Sequence, residues 1–314
     1  VTAVYTSPEG ARTVEARYRE LLADWPVPSE HLRVPTREGE TFVVASGPAD
    51  APPLVLLHGS GSNALMWAGD VAAWSERFRV YAVDVVGEPG LSAPARPPLA
   101  SGVYPFWFGD VLDGLGVARA SVVGVSLGGW LALDQATRRP ERVQRLVLLT
   151  PAGVARTKVV GVLAAALLKP FGEWGKRRST ELFLGPEVRT QHESMAFVRL
   201  VSQHFRYRRE PVPVVDDAAL RRATMPVLAV LGARDTFIDS PRTAERLARL
   251  VPSDAPHQGV VVEAEPDVLQ RLGDLLAEAS ERAVLLVLDQ VTDPHNVGAH
   301  DGTDIVRVGH LVED

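Results

Sequence analysis

The sequence predicts an α/β fold: a mostly parallel sheet with helices on both faces and a helical lid. Three observations carry this. From residue 54 onward, short apolar runs alternate with helical patterns. The runs at 54–57, 80–83 and 120–123 lack polar alternation, as strands buried on both faces do. A helical stretch rich in Ala, Leu, Lys and Arg, residues 152–215, then interrupts the rhythm between two such strands.

In order, residues 1–30 read as a leading arm with a helix at 14–22. Residues 31–34 and 41–44 read as a β-hairpin around Arg37-Glu38-Gly39-Glu40. A Pro/Ala/Gly linker spans 47–53. Strands follow at 54–57, 80–83, 120–123, 145–149 and 227–231, and helices at 65–74, 105–115, 130–136 and 241–250. Further on, the pattern predicts a strand at 259–263, a helix at 266–280, a strand at 284–288 and a last strand before Gly309-His310. The expected division is a core at 1–151, the lid at 152–215, an acid-bearing core part at 216–252, an inserted segment at 253–301, and a final core strand at 302–314.

Composition narrows the function. Net charge is -6, which gives no electrostatic case for nucleic-acid binding. With Cys 0, disulfides, thiolate catalysis and Cys-ligated zinc are excluded. The first residues lack a basic stretch followed by an apolar one, and the longest apolar run, 159–168, is too short to span a bilayer. The expectation is a cytoplasmic protein with no membrane partner, and no metal-ligating residues are singled out. Oligomeric state has no sequence signal here.

The chemistry centres on Gly124-Val125-Ser126-Leu127-Gly128, a G-x-S-x-G run between a β-branched strand and a helix. This context makes Ser126 a candidate nucleophile on a sharp strand-to-helix turn. A serine hydroxyl needs a base, and the base needs an orienting carboxylate. On a parallel sheet such residues follow strands, as Asp235 follows 227–231; Asp239 is the alternative acid. The oxyanion donors expected are the backbone N–H groups of Leu127 and of Ser60, in the loop His58-Gly59-Ser60-Gly61. His58 itself reads as a loop brace, and Trp67 and Trp74 as core. Lys176-Arg177-Arg178 and Arg206-Tyr207-Arg208-Arg209 read as solvated helix faces, with an acidic ligand as the alternative.

These residues carry a resemblance. His58-Gly59-x-Gly61, the stretch Val83 to Ser92, Gly124-x-Ser126-x-Gly128-Gly129 and Leu231-Gly232-x-x-Asp235 resemble the α/β-hydrolase superfamily in order and spacing. The stretch from Trp25 to Gly59 is similar to carboxylesterases that cleave naproxen-type esters. The resemblance implies a Ser-acid-His triad, no cofactor and an acyl-enzyme intermediate. It implies a base in a Gly-His pair after the last core strand, which points to His310. His257 is the alternative base; His295 and His300 remain open. The aromatic residues of the lid favour a medium-sized apolar acyl or aryl ester.

Residues 257–299, with Asp293-Pro294-His295-Asn296-Val297-Gly298-Ala299, resemble a fragment of SPOUT-class ribosomal-RNA 2′-O-ribose methyltransferases. The later motifs that would hold S-adenosylmethionine have no counterpart before Asp314. The expectation is thus a serine hydrolase of carboxylic esters acting on a small molecule. The alternatives are an impaired hydrolase-fold chimera or binding scaffold and, behind them, an RNA methyltransferase relative.

Overall fold

The computed structural model describes residues 4–158, 167–168, 172, 175, 192–232, 235 and 237–248, with the backbone of strands at 260–263, 284–288 and 307–310. The first strands are β1 (Ser29–Thr36), β2 (Gly39–Ser46), β3 (Pro53–Leu57), β4 (Arg79–Val83) and β5 (Ala120–Val125). They are followed by β6 (Val143–Leu149), β7 (Val227–Gly232), β8 (Val260–Glu263), β9 (Val284–Leu288) and β10 (Arg307–His310). The main sheet runs β1-β2-β4-β3-β5-β6-β7-β9. Only the β1·β2 and β2·β4 pairings in it are antiparallel. The predicted fold class therefore holds.

Strand alternation sorts the core into two faces. Val55, Leu57, Val83 and Val122 pack with α3 (Tyr104–Gly114) and α4 (Leu127–Arg138) on one side, with Trp107 and Leu131 among them. Leu54, Leu56, Val80 and Val123 pack on the other with Trp67, Trp74 and α1 (Pro8–Ala23). Each such fully buried side chain contributes about 1.5–3 kcal/mol, so the central strands anchor both layers. Trp67 and Trp74 are core, as expected.

Helix α1 begins further upstream than predicted, because Ser7 caps it by accepting the Gly10 N–H at 3.0 Å and Pro8 suits its first turn. It buries Val14, Tyr18 and Leu22, one face at a spacing of four. The helix expected at 65–74 divides instead into a 3₁₀ turn, Ala64–Trp67, and α2 (Val71–Ser75). Gly69 lies at the break, where its backbone freedom opposes helix continuation.

Of the stretch expected to be the lid, the structure describes residues 152–158, 167–168, 172 and 175, then α5 (His192–His204) and the segment after it; Lys176-Arg177-Arg178 lies outside the described residues. Residues 206–210 are not helical, which corrects the helix-face reading of Arg206-Tyr207-Arg208-Arg209. Pro211 and Pro213 disfavour helix there. Tyr5 forms an isolated antiparallel bridge with Phe205, flanked by Thr6 N–H to His204 O (2.7 Å) and Arg206 N–H to Val4 O (2.8 Å). Phe197 and Phe205 are buried beside Tyr18 and Tyr5, so these two lid aromatics are packing residues.

A second correction concerns the end of the chain. The strand beside β7 is β9, inside the segment expected to be an insertion, with Gly232 paired to Leu288. The strand expected there, β10, instead pairs antiparallel with β8 in a separate two-stranded sheet. The physical reason is composition. Val284-Leu285-Leu286-Val287-Leu288 is apolar at every position, as a doubly covered sheet requires, whereas Arg307-Val308-Gly309-His310 is polar at both ends. The helix expected at 266–280 lies outside the described residues.

Candidate active site

Parallel strands β3, β5 and β7 end along one edge, and Ser60, Ser126, Leu127 and Asp235 follow those ends; His310, in the separate β8·β10 sheet, does not. Strand β5 stops at Val125 and α4 starts at Leu127, leaving one residue for the turn. Ser126 accordingly sits at φ 49° and ψ -108°, a region that costs a non-glycine residue about 1–3 kcal/mol. Three backbone bonds hold it there. Its N–H donates to Leu149 O at 3.0 Å, and its carbonyl accepts from Trp130 N and Ala152 N, each at 3.0 Å. Gly128 makes the turn possible: a Cβ there would lie 2.1 Å from Leu57 O. At the start of α4, the Leu127 N–H has no carbonyl four residues back within the helix, so it is available to an oxyanion.

The loop after β3 lies against the serine. A Cβ built on Gly59 would stand 3.7 Å from Ser126 Cβ. His58 is buried, with Nδ1 2.8 Å from Gly59 O, while Nε2 accepts the Val85 N–H at 2.9 Å. An Nε2 that accepts puts the proton on Nδ1, so Nδ1–H donates to the Gly59 carbonyl. The Gly59–Ser60 peptide is planar and trans, so fixing that carbonyl also fixes the opposite direction of the Ser60 N–H. Burial lowers the His58 pKa to about 4, against a favourable bond to Gly59, which keeps the ring neutral. His58 is a brace, as read from the sequence.

Asp235 follows β7 by three positions and is buried. One carboxylate oxygen accepts the N–H groups of Phe237 (2.7 Å) and Ile238 (2.8 Å). Burial raises its pKa; those two N–H groups and the Lys158 charge oppose the shift. Lys158 donates to the Asp235 carbonyl at 2.8 Å. Asp239 has a different setting. Its carboxylate pairs with Arg242 and its carbonyl accepts from Thr243 N, at the start of α6 (Ser240–Ala248). It holds a helix end. Of the histidines, His310 is described as the last backbone position of β10, and His257, His295 and His300 lie outside the described residues.

The sequence reading assigned no role to Glu88 or Asp84, and both carboxylates are buried at this edge. Asp84 accepts from Tyr18 Oη (2.8 Å), Ala64 N (2.9 Å) and Leu91 N (2.7 Å), and burial pushes its pKa up to about 6. Glu88 accepts the Gly61 N–H at 2.7 Å, and burial raises it too. An acidic residue inside the apolar, Gly-rich stretch Val83 to Ser92 was the available signal.

Among the described residues, no group of three or more His, Asp or Glu side chains is placed to hold a metal. No described helix is long and apolar enough to cross a membrane. A mixed sheet of this order with a strained serine at the C-terminal end of β5 defines a hydrolase-type α/β fold. The profile of the alpha/beta hydrolase family matches residues 54–296, and the chain belongs to that family. It is 31% identical over 268 residues to the uncharacterized carboxylesterase nap of Bacillus subtilis (strain 168), covering 83% of this chain and 85% of that one. It is 43% identical over 143 residues to carboxylesterase YbfK of the same organism, covering 46% of this chain and 48% of that one. Among solved structures, it resembles naproxen esterase (carboxylesterase NP) from Bacillus subtilis at TM-score 0.75 and 25% identity, over 93% of this chain and 95% of that one.

Proposed function

We propose that this protein is a serine hydrolase that cleaves carboxylic esters of small molecules through an acyl-enzyme. The single observation that carries this is the strained Ser126 at the end of β5, held against the His58-Gly59-Ser60 loop. Its kinship with carboxylesterases supports an ester as the substrate. Ser126 Oγ bonds to the acyl carbon while its proton passes to a histidine. The Leu127 and Ser60 N–H groups hold the oxyanion, and Asp235 orients the imidazolium. The histidine then protonates the departing alcohol, and water cleaves the acyl-enzyme to the acid.

The base belongs to the C-terminal segment, and two readings have support. His310 carries the Gly309-His310 pair. His295 follows the C-terminal end of β9 by seven residues, next to the strand that carries Asp235, and the family match runs to residue 296. Seven residues of extended chain span about 23 Å, ample for a loop returning to the sheet edge. The resemblance of 257–299 to a SPOUT fragment is a sequence reading alone; β9 within that stretch pairs with β7 in the main sheet, and the family match runs to residue 296.

The test is hydrolysis of a p-nitrophenyl short-chain ester, with fluorophosphonate labelling. Ser126→Ala is expected to abolish both, and retained turnover would overturn the reading. Substitution of the true base, His295→Ala or His310→Ala, is expected to lower kcat by about 10⁴-fold or more, and substitution of the other to leave it near wild type. A folded wild-type protein that neither labels nor hydrolyses would favour the binding-scaffold alternative.

A further inference from the structure

We propose that Glu88, held in turn by Arg208, is a positioning residue that sets the oxyanion loop beside Ser126. This rests on the serine-hydrolase reading above and adds a residue pair to it.

The loop needs holding from outside. Its residues 58–62 contribute no strand or helix, and Gly61 has φ +74°, which removes side-chain restraint at the critical turn. His58 fixes the peptide before Ser60. The peptide after it is fixed by Glu88, whose Oε2 accepts the Gly61 N–H at 2.7 Å and lies 3.4 Å from the Ser60 hydroxyl. The two clamps together leave the Ser60 N–H one direction. A charge-assisted bond of this kind is roughly twice as strong as a neutral one.

A buried carboxylate beside an oxyanion hole would oppose the charge that develops there, so it requires a counter-ion. Arg208 is that ion. Its Nε lies 3.4 Å from Glu88 Oε1, and both side chains are almost wholly buried. The guanidinium is itself held by Pro97 O (3.1 Å), Glu210 Oε1 (2.7 Å) and the Tyr104 hydroxyl. The same segment covers Gly61: a Cβ there would meet the Tyr207 ring at 2.3 Å. The chain after the lid helix therefore presses Tyr207 onto the loop and supplies Arg208 to the carboxylate beneath it.

The experiment compares wild type, Glu88→Ala, Glu88→Gln and Arg208→Gln by steady-state ester hydrolysis, with melting temperatures for each. Glu88→Ala is expected to lower kcat by about 10- to 100-fold with KM within threefold, a fraction of the 10²–10³ that a lost oxyanion donor costs. Glu88→Gln keeps an acceptor for the Gly61 N–H and is expected to recover to within about fivefold of wild type. Arg208→Gln is expected to lower kcat by about tenfold. A Glu88→Ala enzyme that keeps its kcat, or loses only melting temperature and KM, would overturn the proposal. If wild type itself neither labels nor turns over, the hydrolase reading fails separately. Amide hydrogen exchange of Gly61 then decides the clamp: faster exchange in Glu88→Ala than in wild type and Glu88→Gln supports it, and unchanged exchange in Glu88→Ala sinks it.

Discussion

The Tyr18 hydroxyl donates to Asp84 Oδ1 at 2.8 Å, tying the leading helix to the loop after β4 beneath the candidate active site. Both groups are buried, and Asp84 also accepts the Ala64 and Leu91 N–H groups. Tyr18→Phe removes a hydrogen bond to a charged group, so a loss of about 1.5–3 kcal/mol in urea unfolding at pH 7 is expected. The hydroxyl lowers the Asp84 pKa, so the variant is also expected to titrate this carboxyl above about 6. An unchanged unfolding midpoint would contradict the first expectation.

Two buried groups make opposite contributions as pH falls. Burial lowers His58 from 6.5 to about 4, so its contribution is present above pH 6.5 and lost as pH falls through 4. Burial raises Asp84 from 3.8 to about 6, so its contribution is present below 3.8 and lost as pH rises through 6. Each is worth on the order of 3 kcal/mol, and in wild type they nearly cancel. Asp84→Asn is expected to lose about 2 kcal/mol more than wild type between pH 7 and 4.5, and His58→Gln to show the reverse. Parallel pH slopes in the three proteins would refute this.

Gly128→Ala places a methyl 2.1 Å from Leu57 O and 2.6 Å from His58 O. Neither carbonyl is a flexible side-chain end, so strand and elbow must separate. A destabilisation of about 3 kcal/mol is expected. Labelling by a fluorophosphonate should slow by at least about tenfold, because the separation opens the space between Ser126 and the Gly59 loop.

Asp235 and Asp239 are separable by substitution. Asp235→Asn keeps an oxygen for the Phe237 and Ile238 N–H groups but loses the charge that the proposed mechanism sets against an imidazolium. Its kcat should fall about 10⁴-fold with little change in melting temperature. Asp239→Ala loses a helix-end acceptor and should cost about 1 kcal/mol of stability with kcat near wild type. Reversed effects would exchange the two roles.

The parts of the site legible in the sequence are those that neighbours in the chain decide. Ser126 is readable because its turn is local: one residue separates β5 from α4, and the G-x-S-x-G run that marks it is contiguous in the chain. Strands β3 and β5 are readable because an apolar run needs no knowledge of its partner. Glu88 and Arg208 stand 120 positions apart, and neither residue type announces the other. Arg208 sits in a basic run whose ordinary fate is solvent, and only the turn back from α5 makes it internal. The last strand of the sheet shows the same limit. Periodicity marks strands at both 284–288 and the chain end, but which one meets β7 depends on a surface assembled from the rest of the fold.

The bridge between Tyr5 and Phe205 has a consequence for biosynthesis. Residues 4–6 leave the ribosome well before their hydrogen-bond partners, residues 204–206. Strands β1 to β6, all within the first 149 residues, can pair while the chain is still growing. The leading segment then waits unpaired until the end of the lid helix emerges. Its closure is a late step of folding, and it fastens the same turn of chain that carries Tyr207 and Arg208 to the oxyanion loop. Shortening the arm by its first six residues should therefore leave a core that assembles at normal speed but matures slowly into an active enzyme.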